Sequence, residues 1–197
     1  VQEQSRPHGH VIFDILYDRP SLLVPASLTA EVPERVSFEG KVLEELDEAA
    51  LRAALQPLKR AEVTSVAVSL LFSFLHPKHE QRVREIVLEE MPGVEVSLSS
   101  EVVPQIREYY RLSTTVINAY LQPILARYIA NLEDRLTGAG VKTRQKYIMQ
   151  SNGGMSTFAA TAKKAVATVL SGPAGGITAS VLNNTFKITV VDANTYT

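Results

Sequence analysis

The chain has 197 residues, a formal net charge of −1 and a hydrophobic fraction of 45%, which are ordinary values for one globular domain or two small ones. The near-neutral charge excludes the basic signature of nucleic-acid-binding proteins, and no apolar run is long enough to span a membrane. Cysteine is absent, which excludes thiolate metal sites and disulfides and fits a reducing, cytoplasmic location.

The four histidines do not favour a metal site. They lie in two pairs, His8 with His10 and His76 with His79. Neither pair has nearby carboxylates in a pattern typical of zinc ligation. We therefore expect no metal to be bound by this chain.

The first part of the chain has the pattern of short strands. Val11–Tyr17 is apolar enough for a strand. Three further segments alternate around Pro33 and around Glu39-Gly40, which predicts a small antiparallel meander. The strands of this meander are predicted at Leu28–Val32, Arg35–Phe38 and Lys41–Glu45.

A helix and a buried strand follow the meander. Asp47 is a good N-cap for a helix over Glu48–Ala61, in which Pro57 should cause a kink or an early end. Val63–Phe74 is a nearly continuous apolar run. Such a run is typical of a strand that is covered on both faces.

The pattern then repeats with a second helix and strand. Pro77 opens a helix that continues to about Met91, where Pro92-Gly93 ends it. Val94–Leu98 is predicted to be the next strand. This alternation favours parallel strand pairs covered by helices, so the fold class is α/β, with mixed sheets and flanking helices.

A long helix dominates the second half of the chain. Ser113 or Thr114 can cap it, it should run to about Thr137, and Pro123 should bend it. Its apolar residues form a wide face, so we expect the helix to be largely buried. These residues are Val116, Ile117, Tyr120, Leu121, Ile124, Leu125, Tyr128, Ile129 and Leu132.

Short strands and helices alternate after this long helix. Strands are predicted at Arg144–Met149, Val166–Leu170 and Phe186–Val191, and helices at Thr157–Lys164 and Ala174–Asn183. We place the boundary between two α/β subdomains after residue 100, so that they cover residues 1–100 and 101–197.

Two glycine-rich turns are the first candidate site. Each follows a predicted strand and leads into a predicted helix, an arrangement in which backbone N–H groups can hold an anion or a nucleotide. The alternatives are an ordinary turn with a left-handed Asn, for the first, and close helix–strand packing, for the second. The candidate residues are Gln150, Ser151, Asn152, Gly153, Gly154, Ser171, Gly172, Gly175 and Gly176.

A polar segment at the start of the long helix is the candidate substrate site. Arginine binds carboxylates and phosphates through paired hydrogen bonds, and a helix start adds N–H donors. The alternative is a structural ion-pair cluster with Glu101 and an ordinary helix cap. The candidates are Arg107, Glu108, Arg111, Ser113, Thr114 and Asn118. We expect them to line one cleft with the glycine turns; catalytic residues are not identified.

A series of motifs in this order resembles the hydantoinase A / 5-oxoprolinase family of ATP-dependent enzymes. The run from Arg107 to Tyr120 and the two glycine stretches are the most specific part of the resemblance. The matching stretches are Glu34-Arg35-Val36, Gly40, Leu46-Asp47, His76-Pro77, His79-Glu80, Ser97-Leu98-Ser99, Glu101-Val102, Pro104, Arg107-Glu108-Tyr109, Ser113-Thr114-Thr115, Asn118-Ala119-Tyr120, Met149–Gly154 and Leu170–Gly176.

The resemblance implies a lobe of the actin/Hsp70/sugar-kinase type of ATPase fold. It implies an ATP-dependent hydrolase that opens a hydantoin or 5-oxoproline, or a carboxylase of acetone or acetophenone. In either case a phosphoryl group activates a carbonyl or amide oxygen. For full-length members of the family the resemblance implies ATP, Mg²⁺ and a small cyclic amide as ligands and a hydantoinase B-type subunit as partner. We do not expect this chain alone to bind ATP or Mg²⁺.

The resemblance also implies two Asp-Gly-Gly-Thr phosphate loops, one of them upstream of Val1. The counterpart of the second is Ile188–Thr197, where Asp192 is one place late and Ala193 and Asn194 replace the glycines. Ala193 carries a Cβ where close phosphate approach favours glycine. We therefore expect an internal fragment or degenerate copy that does not hydrolyse ATP by itself; the alternative is a non-catalytic structural or interaction remnant.

Overall fold

A computed structural model of the chain describes residues 22–143 and 145–183. The described residues form two compact units that divide between Ala119 and Tyr120, inside one helix. The domain boundary after residue 100 stays a prediction. The strands expected at Val11–Tyr17 and Phe186–Val191 lie outside the described residues, as does Ile188–Thr197.

The first unit contains a two-stranded hairpin, a parallel strand pair and three helices, followed by the start of a fourth. In chain order they are β1 Arg35–Val36, β2 Val42–Glu44, α1 Glu48–Arg60, β3 Ser65–Val68, α2 Lys78–Glu90, β4 Glu95–Leu98, α3 Ser99–Val102 and α4 Glu108–Gly138.

Strands β3 and β4 pair in parallel, from Ser65 opposite Glu95 to Val68 opposite Leu98. Helix α2 connects them, so the predicted alternation of strand and helix is confirmed. The core lies between this strand pair and helices α1 and α2, whose apolar faces are removed from water. Its buried residues are Leu51, Leu55, Leu58, Val68, Val83, Ile86, Val87, Met91 and Leu98.

Helix α1 begins and ends close to the predicted residues because its signals are local. The side chain of Asp47 accepts a hydrogen bond from the Ala50 N–H at 2.9 Å, which satisfies one of the donors that every helix start leaves open. The helix continues through Pro57 to Arg60. On its surface, a hydrogen bond from Arg82 of α2 lowers the pKa of Glu48.

The prediction of a three-stranded meander is wrong for its first strand, Leu28–Val32. Ala26–Leu28 forms a 3-10 turn, in which the Leu28 N–H bonds to the carbonyl of Pro25. These local bonds occupy amides that a strand would give to its neighbour. Of the three strands predicted for the meander, only the two that correspond to β1 and β2 pair, in antiparallel orientation.

The long strand predicted at Val63–Phe74 is also wrong in length, because β3 ends at Val68. Beyond that point Leu70 forms hydrogen bonds to two side chains, Glu80 and Arg111, instead of to a neighbouring strand. Phe72 then has a positive φ of 56° and lies in a turn.

Helix α4 begins at Glu108, before the predicted caps Ser113 and Thr114, and continues through Pro123. The expectation of a buried apolar face is wrong for much of the helix, since Ile117, Tyr120, Ile124 and Tyr128 are exposed. Several polar residues are buried in their place. These are Arg111, Thr115, Asn118 and Gln122.

The second unit contains the rest of α4, the hairpin β5 Tyr147–Met149 and β6 Met155–Thr157, and the helices α5 Phe158–Lys163 and α6 Ser171–Asn183. Strands β5 and β6 pair in antiparallel orientation. The strand predicted at Val166–Leu170 is wrong. A 3-10 turn over Ala165–Thr168 replaces it, because local hydrogen bonds such as Val169 N–H to the Val166 carbonyl occupy its amides.

The fold class is therefore confirmed as α/β with small sheets and flanking helices. Among the described residues the sheets are of both kinds, since one strand pair is parallel and two are antiparallel. None of the helices in the described part of the chain has the length and apolar character needed to cross a membrane.

Removing the cap of α1 should destabilise the first unit. We expect Asp47→Ala to lower the free energy of unfolding by about 1 kcal/mol, since the Ala50 N–H loses its acceptor. Urea unfolding followed by circular dichroism measures the difference. Asp47→Asn keeps an acceptor oxygen and should stay within about 0.3 kcal/mol of the parent; an equal loss in both variants would contradict the capping role.

Candidate functional site

A small recess opens at the carboxyl end of β3, in the first unit. Its volume is about 210 Å³, and we call it the β3 recess. In α/β sheets the carboxyl ends of parallel strands are the usual place for ligands. The lining residues are Ser69, Leu70, Leu71, Glu108, Arg111 and Leu112.

Arg111 forms one side of the β3 recess although its side chain is almost entirely buried, with 1% exposure. Its Nε donates to Ser99 Oγ at 3.1 Å. Its Nη1 donates to the Gln105 carbonyl at 2.8 Å and its Nη2 to the Leu70 carbonyl at 2.7 Å. The guanidinium also lies 5.4 Å from the centre of the Phe74 ring. Arg111 is therefore held in one position by the protein itself.

Glu80 on α2 is the charged partner of this arrangement, and it is fully buried. One carboxylate oxygen accepts from the Leu70 N–H at 2.9 Å and from Ser99 Oγ at 2.6 Å. The other accepts from the Ser100 N–H at 2.9 Å. Three donors thus satisfy a carboxylate that would otherwise be costly to bury.

Ser99 joins the two charges. Its hydroxyl donates to Glu80 and accepts from Arg111 Nε. The hydroxyl of Ser73 lies 3.0 Å from it, and since Ser99 has only one proton, Ser73 is the donor there. All three hydrogen-bonding positions of the Ser99 hydroxyl are therefore filled.

The electrostatics of Arg111 follow from this burial. Loss of water lowers the pKa of Arg111, while the nearby carboxylates of Glu80 and Glu108 act in the opposite direction. An arginine remains protonated across any biological pH. A permanent positive charge therefore lies buried behind the β3 recess, close to the carboxylates of Glu80 and Glu108.

The structure brings together only part of the predicted substrate site. Glu108 and Arg111 both line the β3 recess, whereas Arg107 is exposed, with its guanidinium 6.0 Å from the centre of the Tyr110 ring. Ser113 and Thr114 are half-buried inside α4, not at its start.

Two other side chains of that segment have structural partners. Asn118 is buried, and its Nδ2 donates to Ser97 Oγ on β4 at 3.0 Å. Glu101 pairs with Arg84 of α2, not with the arginines of the predicted cluster. The roles of the predicted residues in binding a substrate stay predictions.

Sequence reasoning missed Glu80, Ser99 and Leu70 as parts of this arrangement. A signal was present for Glu80, because it lies three and seven residues before Val83 and Val87 on the buried face of α2. A carboxylate on an apolar helix face implies a buried partner. No local signal in the sequence identifies Ser99 and Arg111 as the groups that meet Glu80, because they lie 19 and 31 residues further along the chain.

The first glycine stretch is the loop of the β5–β6 hairpin, so the expected passage from strand to helix is wrong there. The Gln150 N–H bonds to the Gly154 carbonyl, and the Gly153 N–H bonds back to the Gln150 carbonyl. The Gly154 N–H bonds to Asn152 Oδ1, and the Ser151 N–H to the Ala167 carbonyl. These four amides are thus used inside the protein. The left-handed residue is Gly153, at φ +81°, not Asn152.

The second glycine stretch is the start of α6 and not a turn before it, because the helix begins at Ser171. A Cβ added to Gly175 would lie 3.4 Å from Met149 Cγ. A Cβ added to Gly153 would lie 3.2 Å from Thr178 Oγ1. The two glycine stretches therefore pack against each other within the second unit.

The comparison with known proteins decides the family. A family model of the hydantoinase/oxoprolinase N-terminal region matches residues 1–91, and a hydantoinase/oxoprolinase model matches residues 111–192. The chain belongs to the hydantoinase/oxoprolinase family. The resemblance found in the sequence motifs is thereby confirmed.

Three relatives illustrate the family. Caprolactamase subunit alpha of Pseudomonas jessenii is 39% identical to this chain over 82% of the chain and 23% of the relative. The crystal structure of the ATP-dependent caprolactamase from Pseudomonas jessenii matches 90% of this chain and 26% of its own, with a TM-score of 0.76 and 37% identity. The nucleotide-free structure of acetone carboxylase, an ATP-dependent enzyme, matches 85% of this chain and 24% of its own chain, with a TM-score of 0.76 and 30% identity.

The chain therefore spans about a quarter of the length of these hydantoinase/oxoprolinase relatives. Both solved structures belong to ATP-dependent enzymes, which agrees with the predicted ATPase-type lobe. No group of three His, Asp or Glu side chains within residues 22–143 and 145–183 is arranged to hold a metal ion. His79 instead contacts Glu34, with 2.7 Å between Nδ1 and the carboxylate oxygen.

Removal of the Ser99 hydroxyl should lower the stability of this protein. We expect Ser99→Ala to lower the free energy of unfolding by about 2 kcal/mol, because Glu80 and Arg111 each lose a buried hydrogen bond. Ser100→Ala is the matched control, since the buried Ser100 hydroxyl has no partner and its N–H is kept. Chemical denaturation compares the two; equal effects would contradict the bridging role of Ser99.

The close approach of Gly153 to Thr178 leads to a second prediction about stability. Gly153→Ala should cost about 1–2 kcal/mol, because the new methyl group meets Thr178 and the backbone is left-handed. Gly176→Ala has open space in the interior of α6 and should stabilise by up to about 1 kcal/mol. Melting temperatures of the two variants should thus move in opposite directions, and a rise for Gly153→Ala would refute the close contact.

Proposed function

We propose that this chain is part of an ATP-dependent enzyme that opens a cyclic amide by phosphoryl activation. The observation that carries the proposal is the likeness to the ATP-dependent caprolactamase structure, over 90% of the chain at 37% identity. The matching caprolactamase sequence bears the name of a subunit, subunit alpha. We therefore extend the proposal to a partner subunit of the hydantoinase B type.

The proposed reaction removes the resonance that protects an amide. The amide oxygen attacks the γ-phosphorus of ATP, a new O–P bond forms, and the bond to the leaving ADP breaks. Water then attacks the activated carbon and the ring C–N bond breaks, with the leaving nitrogen taking a proton, which gives an acyl phosphate. A second water hydrolyses the acyl phosphate to the carboxylate and inorganic phosphate. Catalysis of this kind depends on positioning and on the neutralisation of phosphate charge.

The start of α6 is the better of the two glycine stretches for holding phosphate. Its first-turn amides have no acceptor within the helix, and Gly172 is exposed, with open space where a Cβ would be. The hairpin loop already uses four of its amides, so it contributes the exposed side chains of Ser151 and Asn152 instead. Gly175 serves chiefly to pack on Met149.

We assign no step to Mg²⁺. The described residues contain no carboxylate cluster of the kind that holds a divalent cation. If the enzyme uses Mg²⁺, its protein ligands come from residues other than those described, or the ion is bound mainly by the phosphates of ATP.

A ketone carboxylase is the second candidate. The acetone carboxylase structure has the same TM-score as the caprolactamase structure, 0.76, at the lower identity of 30%. Phosphoryl transfer to a ketone oxygen would use the same chemistry as transfer to an amide oxygen. The third possibility, a remnant without catalysis, depends on Ile188–Thr197, where both loop glycines are replaced.

Substrate-dependent phosphate release tests the proposal. The complete gene product that carries this sequence, co-expressed with a hydantoinase B-type subunit, should release phosphate from ATP when a lactam, 5-oxoproline or a hydantoin is added. Release only with acetone and bicarbonate would establish the carboxylase instead. Release with none of these substrates would leave the non-catalytic remnant.

The 197-residue chain alone should not bind nucleotide strongly. We expect isothermal titration calorimetry with Mg-ATP to show no binding at a dissociation constant of about 1 mM or tighter, because the usual phosphate-loop glycines are absent at Ala193 and Asn194. Saturable heat in that range would contradict the expectation that the chain is inactive by itself. A denatured-chain blank controls for dilution heat.

A further inference from the structure

We propose that one exposed row of side chains on α4, in the second unit, is a docking surface for a further helix of the same polypeptide. The row consists of Tyr120, Ile124 and Tyr128, and we call it the α4 ridge. The docking helix has an apolar face with acidic residues at its edge. This inference concerns an interface and does not depend on the reaction proposed above.

The α4 ridge is apolar and open to solvent. The exposed fraction is 71% for Tyr120, 53% for Ile124 and 50% for Tyr128. The opposite side of the helix is already packed, since Gln122 and Ile129 are buried. A contiguous exposed apolar surface of this kind on a helix marks a place where another part of a protein binds.

The spacing of the ridge indicates the shape of its partner. Its three residues follow one another at intervals of four, so their side chains form a row along α4. Rows of this kind pack into the groove between side-chain rows of a second helix, at a crossing angle of about −50°. This is the commonest class of helix–helix contact in globular proteins. The α4 ridge is therefore suited to another helix.

The charges beside the ridge favour an acidic partner. Arg127 and Arg135 are exposed and lie three residues after Ile124 and seven after Tyr128, on the ridge side of α4. Neither arginine forms an ion pair with any of the described residues. Within residues 120–143 and 145–183, six Lys and Arg stand against two Asp and Glu. Carboxylates at the edge of the docking helix would therefore meet complementary charge.

The area of the ridge argues for a helix of the same polypeptide and against a separate protein. Taking about 200 Å² for a whole aromatic side chain, the exposed parts of the three residues amount to roughly 300–400 Å². Each partner in a typical stable complex contributes about 800 Å². A smaller contact is sufficient within one chain, because linkage keeps the effective concentration of the two sides near the millimolar range.

The relatives of this chain have enough polypeptide to supply such a helix. The matched region is 23% of caprolactamase subunit alpha and 26% of the chain in the caprolactamase structure. Most of each relative therefore lies outside the region shared with this protein. In a hydantoinase/oxoprolinase chain of that length, a helix from the remaining part can remove the α4 ridge from water.

Thiol labelling tests the docking, because the 197-residue chain has no cysteine. Ile124→Cys places a thiol on the ridge. We expect N-ethylmaleimide to label it about 30-fold more slowly in the complete gene product than in the 197-residue chain, since the docked helix must open first. Mass spectrometry of the peptide that contains position 124 measures both rates. Ala130→Cys, exposed about 120° around α4 from Ile124, is the matched control and should change by less than about 3-fold.

A charge reversal tests the acidic edge of the docking helix. In the complete gene product that carries Ile124→Cys, Arg127→Glu should raise the labelling rate at position 124 about 10-fold, because like charges then face each other. Lys142→Glu makes the same charge change beyond the end of α4 and should leave the rate within about 2-fold. If Ile124→Cys does not fold, Tyr120→Cys provides the same measurement on the ridge.

Equal labelling of position 124 in the two proteins, or equal slowing at positions 124 and 130, would overturn the proposal. Slow labelling that appears only after addition of a hydantoinase B-type subunit would assign the ridge to that subunit instead. Slow labelling in the 197-residue chain that depends on its concentration would assign it to a second copy. Equal effects of Arg127→Glu and Lys142→Glu would overturn the acidic character of the docking helix.

Discussion

A buried carboxylate and a buried guanidinium, joined by one serine hydroxyl, organise the first unit of this protein. Glu80, Ser99 and Arg111 come from α2, α3 and α4, and two of them also bind the backbone of Leu70. Burying either charge alone would cost several kcal/mol. Because their hydrogen bonds are made only in this arrangement, the network fixes three helices and the end of β3 relative to one another.

The same network fixes the position of the charged group next to the β3 recess. Arg111 is held by three protein acceptors, so the charge beside the recess is fixed before any ligand arrives. Glu108 follows from helix geometry, because a residue three positions earlier lies on the same side of α4. The second unit shows a different principle, since close packing between Gly175 and Met149 accounts for one of the glycines that suggested anion binding.

Local signals in the sequence predicted local structure well. Asp47 and the apolar periodicity after it predict α1, and the family motifs identify the fold and its ATP-dependent relatives. Predictions failed where residues distant in the sequence determine the local structure. The apolar run after Val68 reads as strand, yet Glu80 and Arg111 take the hydrogen bonds of Leu70 and end it. The periodicity of α4 places Tyr120 and Tyr128 on an apolar face, but it does not show that the opposite, polar face is the buried one.

Amide hydrogen exchange measures the central network most directly. The N–H groups of Leu70 and Ser100 both donate to Glu80 although neither lies in a strand ladder. If the network organises the first unit, these two amides should exchange only through its global unfolding, as slowly as those in the middle of α2. Exchange of both as fast as the amide of an exposed turn residue such as Phe38 would contradict this account.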